Sequence, residues 1–221
     1  MSALEPYLRP TDFIDADHPD VAAYARDAVG SATDPIDQAI ALYHRVRDDV
    51  RYQPYRFSLH PEDMTASSAL ARGEAFCVPK AVLLAAGGRV VGIPTRLGFA
   101  AVRNHLTTEK LRESLGTDMF YWHGYMEFHL DGRWVKATPA FNLSLCEKAG
   151  VKPLEFDGRS DSIFHEYDAA GRRHMEYVED YGQYADLPLD RMTRELTAAY
   201  PHLDMNVPGD FEVEIEEERH G

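Results

Sequence analysis

The order of two periodicities along this chain limits its fold more than any single residue does. Helical repeats come first and alternating strands come after. Thr33-Asp34-Pro35 opens the clearest helix. A capping side chain precedes a proline at the first helical position, and Ile36, Ala39, Ile40, Tyr43, Val46 and Val50 then recur at three- and four-residue steps. Arg45, Arg47, Asp48 and Asp49 fall on or near its wet face. An earlier helix starts near Pro19, capped by Asp17 or Asp20, and stops at Gly30. A short one covers Thr65 to Ala71, and another follows Cys77 and is expected to end at Gly87-Gly88. From Gly92 the pattern changes. Residues 92–102 are extended. Tyr121 to Leu130 alternates, Asp131-Gly132 turns, and Arg133 to Ala137 returns, the strongest short-range hairpin signal available. Helices followed by antiparallel strands specify an α+β domain and exclude a doubly wound parallel sheet.

The segments between and beyond are read from weaker signals. Residues 104–117 form a polar insertion with a helical turn from Thr108 to Ser114. Asp168 to Arg173 reads as a hairpin tip between Ile163-Phe164-His165 and Met175-Glu176-Tyr177. Leu189 to Tyr200 is a final helix closed by Pro201. Phe211 to Glu217 alternates apolar and acidic residues and is read as an acidic tail in preference to an edge strand.

With 221 residues, 44% of them hydrophobic, the chain can build one large core. A formal net charge of −14 argues against a nucleic-acid partner and against an anionic membrane surface. Two cysteines make no disulfide framework and suit a reducing compartment. No stretch is apolar enough to span a bilayer, and Met1 to Pro6 has neither a basic nor an apolar leader region. The expectation is a cytoplasmic protein.

Chemistry concentrates at Arg72-Gly73-Glu74-Ala75-Phe76-Cys77-Val78-Pro79-Lys80. Pro79 belongs in the first turn of a helix, which puts Cys77 at the helix start. The positive end of the helix dipole there favours thiolate, so a lowered thiol pKa is expected. A cysteine nucleophile needs a base, and His123, near the start of the alternating strand, is the histidine best placed to serve. An oxyanion hole is also required. The Cys77 amide is the natural first donor, with Gln53 or the Phe76 amide as the second. Trp122 walls the cleft, and His105 approaches it as a substrate contact. No metal-ligand spacing and no glycine-rich phosphate loop is present, so neither metal nor cofactor is expected.

Cys77-x-x-Lys80-Ala81 with Leu83-Leu84, then Gly92-Ile93-Pro94-Thr95-Arg96, then His123-x-x-x-Glu127, then Gly132-x-Trp134 resembles the transglutaminase-like superfamily over residues 35 to 142. The resemblance implies a papain-like core, with N-terminal helices packed on an antiparallel sheet. Cys77 is then the acyl-forming nucleophile and His123 the general base and acid, attacking a peptide or protein amide carbon. It also implies an aspartate four residues after the tryptophan. Here that position is Thr138, which accepts a hydrogen bond but carries no charge. Asn142 is the nearest replacement as an orienter of the imidazole, and Asp157 a more remote one. The expected activity is amide hydrolysis in preference to cross-linking. The alternative is a peptide- or amide-binding module with a degenerate triad. Residues 1–221 are read as a single domain, with residues 143–221 as a C-terminal elaboration on the core and the last ~12 residues as a tail.

Overall fold

The fold is taken from a computed structural model that describes residues 3–104, 107–163, 175–201 and 207–220. The hairpin tip expected at 168–173 and His105 lie outside the described residues. Helices α1 (Pro19–Val29), α2 (Pro35–Asp49) and α3 (Ala66–Arg72) precede α4 (Cys77–Val90). Each of the first three starts on a side-chain cap: His18 Nδ1, Asp34 Oδ1 and Thr65 Oγ1 accept amides of their first turns. The α1 cap is therefore His18, in place of the expected Asp17 or Asp20. Two short strands, β1 (Arg51–Tyr52) and β2 (Glu74–Ala75), pair in parallel just ahead of α4.

Helix α4 is the centre of the molecule. Every residue from Cys77 to Arg89 is buried, which suits a helix apolar on all sides. It packs on the sheet on one side and on α1, α2 and α3 on the others. One of its two buried cations, Lys80, donates from Nζ to the carbonyls of Arg47, at 2.8 Å, and Val50. These are carbonyls at the end of α2, where partial negative charge accumulates. Burial still pushes the Lys80 pKa down to about 7.

Gly87-Gly88 does not end α4; the helix runs on to Val90. The two glycines are interior contact points. A Cβ on Gly87 would sit 3.0 Å from Leu42 Cδ2. One on Gly88 would sit 2.5 Å from Thr95 Cγ2 and 2.9 Å from Phe128 Cε1. Their small size lets α4 approach α2 and the sheet together. Gly88→Ala should therefore destabilise the protein by roughly 1–3 kcal/mol through overpacking. Urea unfolding measures it, and a stability within experimental error of wild type would contradict this packing.

The sheet has the order β5-β4-β3-β6, antiparallel throughout: β3 (Thr95–Asn104), β4 (Met119–Leu130), β5 (Arg133–Ala137) and β6 (Met175–Tyr184). Asp131 and Gly132 both have positive φ, 48° and 79°, as the tight hairpin turn requires. The polar insertion holds α5 (Glu109–Leu115). After the hairpin come α6 (Leu143–Ala149), α7 (Leu189–Ala199) and α8 (Phe211–His220).

Two readings of the sequence are corrected here. Phe211 to Glu217 is a helix, neither tail nor edge strand. Phe211 and Ile215, four apart, are buried, while Val213 between them is 43% exposed. The helical spacing of two large side chains outweighs a period-two pattern whose middle member has no core to enter. Arg47 is buried on α2 instead of facing water, because its guanidinium reaches the Leu154 carbonyl at 2.7 Å and pairs with Asp48. The C-terminal third also does more than pack on the core, since β6 is a member of the sheet.

Candidate active site

The β1–β2 pair delivers the chain into α4. Tyr52 lies opposite Ala75, and the Gln53 amide donates to the Ala75 carbonyl at 3.0 Å. Phe76 is the N-cap residue and Cys77 the first residue of the helix. Cys77 is 9% exposed. Burial pushes its thiol up to about 11; the amides of Gly124, Val78 and Cys77 itself pull the other way. The lowered pKa expected from the helix end is therefore corrected. The dipole and the amides are present, but removing the sulfur from water outweighs them.

Gly124 meets the head of α4 beyond the point where the hairpin ends. Strand β5 pairs with β4 only as far as Ala137 opposite Met126. Beyond that point β4 continues without a β5 partner. Gly124 also lies flush on the helix: a Cβ there would sit 3.0 Å from the Val78 Cα. Glycine lets the strand come this close.

His123 is the next residue, paired with Ala100 of β3. Just before it β4 carries a bulge, where the register shifts between Ala100 and Val102. Trp122, inside the bulge, has φ 58°. A tryptophan in the left-handed region is strained and is held there by its surroundings. Its ring packs on Phe99 and Tyr181, with centroids at 5.2 and 5.1 Å, and its Nε1 donates to Glu195 of α7 at 3.0 Å. The bulge sets the aim of the histidine that follows. His123 is 4% exposed, with the Tyr177 ring edge-on at 6.5 Å. Burial pushes the imidazole down to about 4.

Cys77, Trp122 and His123 line one apolar cavity of about 60 Å³. Its other walls include Tyr52 and Tyr55, Leu111 of α5, and Met192 and Leu196 of α7. Among the described residues no hydrogen bond joins the Cys77 sulfur to the His123 ring. At neutral pH the cavity thus holds a neutral thiol and a neutral imidazole.

The remaining expected residues are placed as follows. Thr138, just past β5, is buried. Its amide donates to the Ser162 carbonyl at 3.1 Å and its carbonyl accepts from the Tyr43 hydroxyl at 3.2 Å. Its own hydroxyl makes no hydrogen bond among the described residues, so it does not orient the imidazole here. The Asn142 side chain is committed elsewhere: Oδ1 accepts from the Tyr52 amide at 2.9 Å, and Nδ2 donates to Ser144 at 2.7 Å and to Glu212 at 3.3 Å. It holds β1, α6 and α8 together instead of steering His123. Asp157 accepts amides of its own turn, from Arg159 and Ser160. Gln53 Oε1 accepts from the Tyr55 amide at 3.4 Å, closing a 3-10 turn over Pro54–Arg56. It is not among the cavity walls. Glu127 is ion-paired with Arg96 at 2.7 Å and is structural. Sequence reasoning missed Gly124, Tyr52 and the α7 wall. Only Tyr52 left a signal, its place in the extended run ahead of the cysteine.

Comparison with known proteins follows from this geometry. The crystal structure of a "Putative Cysteine Protease" from Cytophaga hutchinsonii is similar with a TM-score of 0.50 at 16% identity, over 83% of this chain and 55% of that one. A "Putative Protease" from Parabacteroides distasonis gives a TM-score of 0.41 at 13% identity, over 64% and 26%. This chain therefore spans about half the length of the first of these and a quarter of the second. Among curated proteins no relative matches at a significant level. The family model of the transglutaminase-like superfamily matches residues 22–139, just over half of the chain. The match holds α2, the cysteine at the head of α4, and the β4–β5 hairpin with its histidine, and this chain belongs to the transglutaminase-like superfamily.

Proposed function

We propose that this protein carries out cysteine-dependent acyl transfer or hydrolysis at a peptide or side-chain amide, with Cys77 as nucleophile and His123 as general base and acid. The observation that carries the reading is the surroundings of the sulfur. Cys77 heads α4 in a small apolar cavity whose wall includes His123, and the amides of Gly124, Val78 and Cys77 itself favour its thiolate.

Because both groups are neutral at rest, the proton moves during the attack and not before it. The imidazole takes the thiol proton as the sulfur–carbon bond forms and the carbonyl π pair moves to oxygen. The imidazolium then gives that proton to the leaving amine as the carbon–nitrogen bond breaks, and a thioester remains. The three amides favour sulfur with thiolate character, which develops along this path. The small, apolar cavity admits water more readily than a protein lysine, which supports hydrolysis over cross-linking.

A second reading is favoured by one observation, the Thr138 hydroxyl that engages no base. On that reading the cavity binds an amide without turnover. Incubation with p-nitrophenyl acetate separates the two. The catalytic reading expects release of p-nitrophenolate and one acetyl group on Cys77 by intact mass, both lost in Cys77→Ala. No adduct on the wild type, or the same adduct on the variant, would leave the binding module as the better account.

A further inference from the structure

We infer that Tyr52 is a catalytic residue of this site, donating its phenolic O–H to the oxyanion that forms when Cys77 attacks a carbonyl. This inference rests on the acyl-transfer reading of Cys77. The short β1–β2 pair brings Tyr52 close to the head of α4. Tyr52 is paired with Ala75 in the parallel β1–β2 ladder, and Cys77 lies two residues further along β2's chain. The backbone is fixed by the Asn142 Oδ1 bond to the Tyr52 amide, and the ring by edge contacts with Phe141 and Phe211 at 4.9 and 5.7 Å. The tyrosine lines the same cavity as Cys77.

Two of the other hydroxyls there have duties. Tyr55 is bonded to Thr108 at 2.6 Å and to Glu214 at 2.5 Å. Tyr200 bridges the Tyr121 amide and the Met119 carbonyl, both at 2.8 Å. The Tyr52 hydroxyl makes no hydrogen bond among the described residues, and Tyr52 lines the cavity. The Ser114 and Tyr121 hydroxyls also make no hydrogen bond among the described residues; Ser114 is carried by α5, and Tyr121, packed on the Tyr200 ring at 5.6 Å, by β4, so neither is on the β1–β2 pair that delivers the cysteine. Burial and the nearby Cys77 both hold the Tyr52 phenol well above its ordinary pKa, so it stays a protonated donor. Asn142, first read as an orienter of the base, thereby acts on the site through Tyr52.

The step balances without a further reactant. The sulfur–carbon bond forms, the carbonyl π pair moves to oxygen, and the Tyr52 O–H and the Cys77 amide donate to that oxygen. On collapse the pair returns, and the leaving group departs with the proton from His123. Tyr52→Phe keeps the ring contacts and removes only the donor. It should slow acetylation of Cys77 by p-nitrophenyl acetate about 100-fold. Alkylation by iodoacetamide, which attacks a saturated carbon and forms no oxyanion, should stay within about twofold of wild type. Equal loss in both reactions, or loss in neither, overturns the inference. A wild type whose Cys77 is alkylated but never acetylated overturns the acyl-transfer reading itself and the role of Tyr52 with it.

Discussion

His123→Ala should slow acetylation of Cys77 by p-nitrophenyl acetate by about 1,000-fold, the scale of a positioned general base. The same substitution should leave the pH dependence of Cys77 alkylation by iodoacetamide where it was. The two expectations differ because of when the proton moves. Burial pushes the thiol up to about 11 and the imidazole down to about 4, so neither group ionises the other at rest. Alkylation reports the resting thiol and should climb toward about 11 in wild type and variant alike. Acetylation reports the base during attack. A wild-type alkylation profile that levels off well below 9, the ordinary cysteine value, and moves up in the variant would replace this picture with a preformed ion pair. An acetylation rate unchanged in the variant would remove His123 from the mechanism.

Acid should destabilise the wild type more than it destabilises His123→Gln. The imidazole has an ordinary pKa of 6.5 and is held at about 4 in the fold by burial. Between those values the unfolded chain binds a proton that the folded chain does not. Stability therefore rises with pH across that window, is fully present above about 6.5, and is lost as pH falls toward 4. A separation of that size corresponds to on the order of 3 kcal/mol. Urea unfolding at pH 7 and pH 4.5, wild type against variant, isolates this one group, because the other titrating groups cancel in the difference. A wild-type loss no larger than the variant's would mean the imidazole is hydrated or charge-paired, and the apolar cavity around Cys77 would have to be redrawn. Lys80 has the same sign in another window. Its pKa falls from 10.5 to about 7, so its contribution rises between neutral and alkaline pH and leaves the acid comparison untouched.

Local chemistry made much of the frame legible. Asp34-Pro35 announced α2, Asp131-Gly132 announced the hairpin, and Pro79 put Cys77 at a helix start. Each is a conformational preference of a few adjacent residues, and the fold obeyed all three. Errors arose where a distant contact outweighed a local preference. Gly87-Gly88 reads as a stop until Leu42, Thr95 and Phe128 are brought against it. Phe211-Glu212-Val213 reads as a strand or tail until Phe211 and Ile215 find a core.

The sequence by itself determined that a cysteine would head a buried helix and that a histidine would begin a strand after it, in the order of the transglutaminase-like superfamily. Tertiary structure decided how the two are charged. A helix dipole is a property of the local chain, so its pull on the thiol was readable in advance. Desolvation depends on everything that closes over the sulfur, including α5 and α7, which are remote from Cys77 in sequence, and here it outweighs the dipole. The same holds for the third position. Thr138 replaces a charged partner by one residue's identity, and that was legible. Only the fold showed that Asn142 is spent on Tyr52 and Glu212, and that Tyr52 lines the cavity with Cys77.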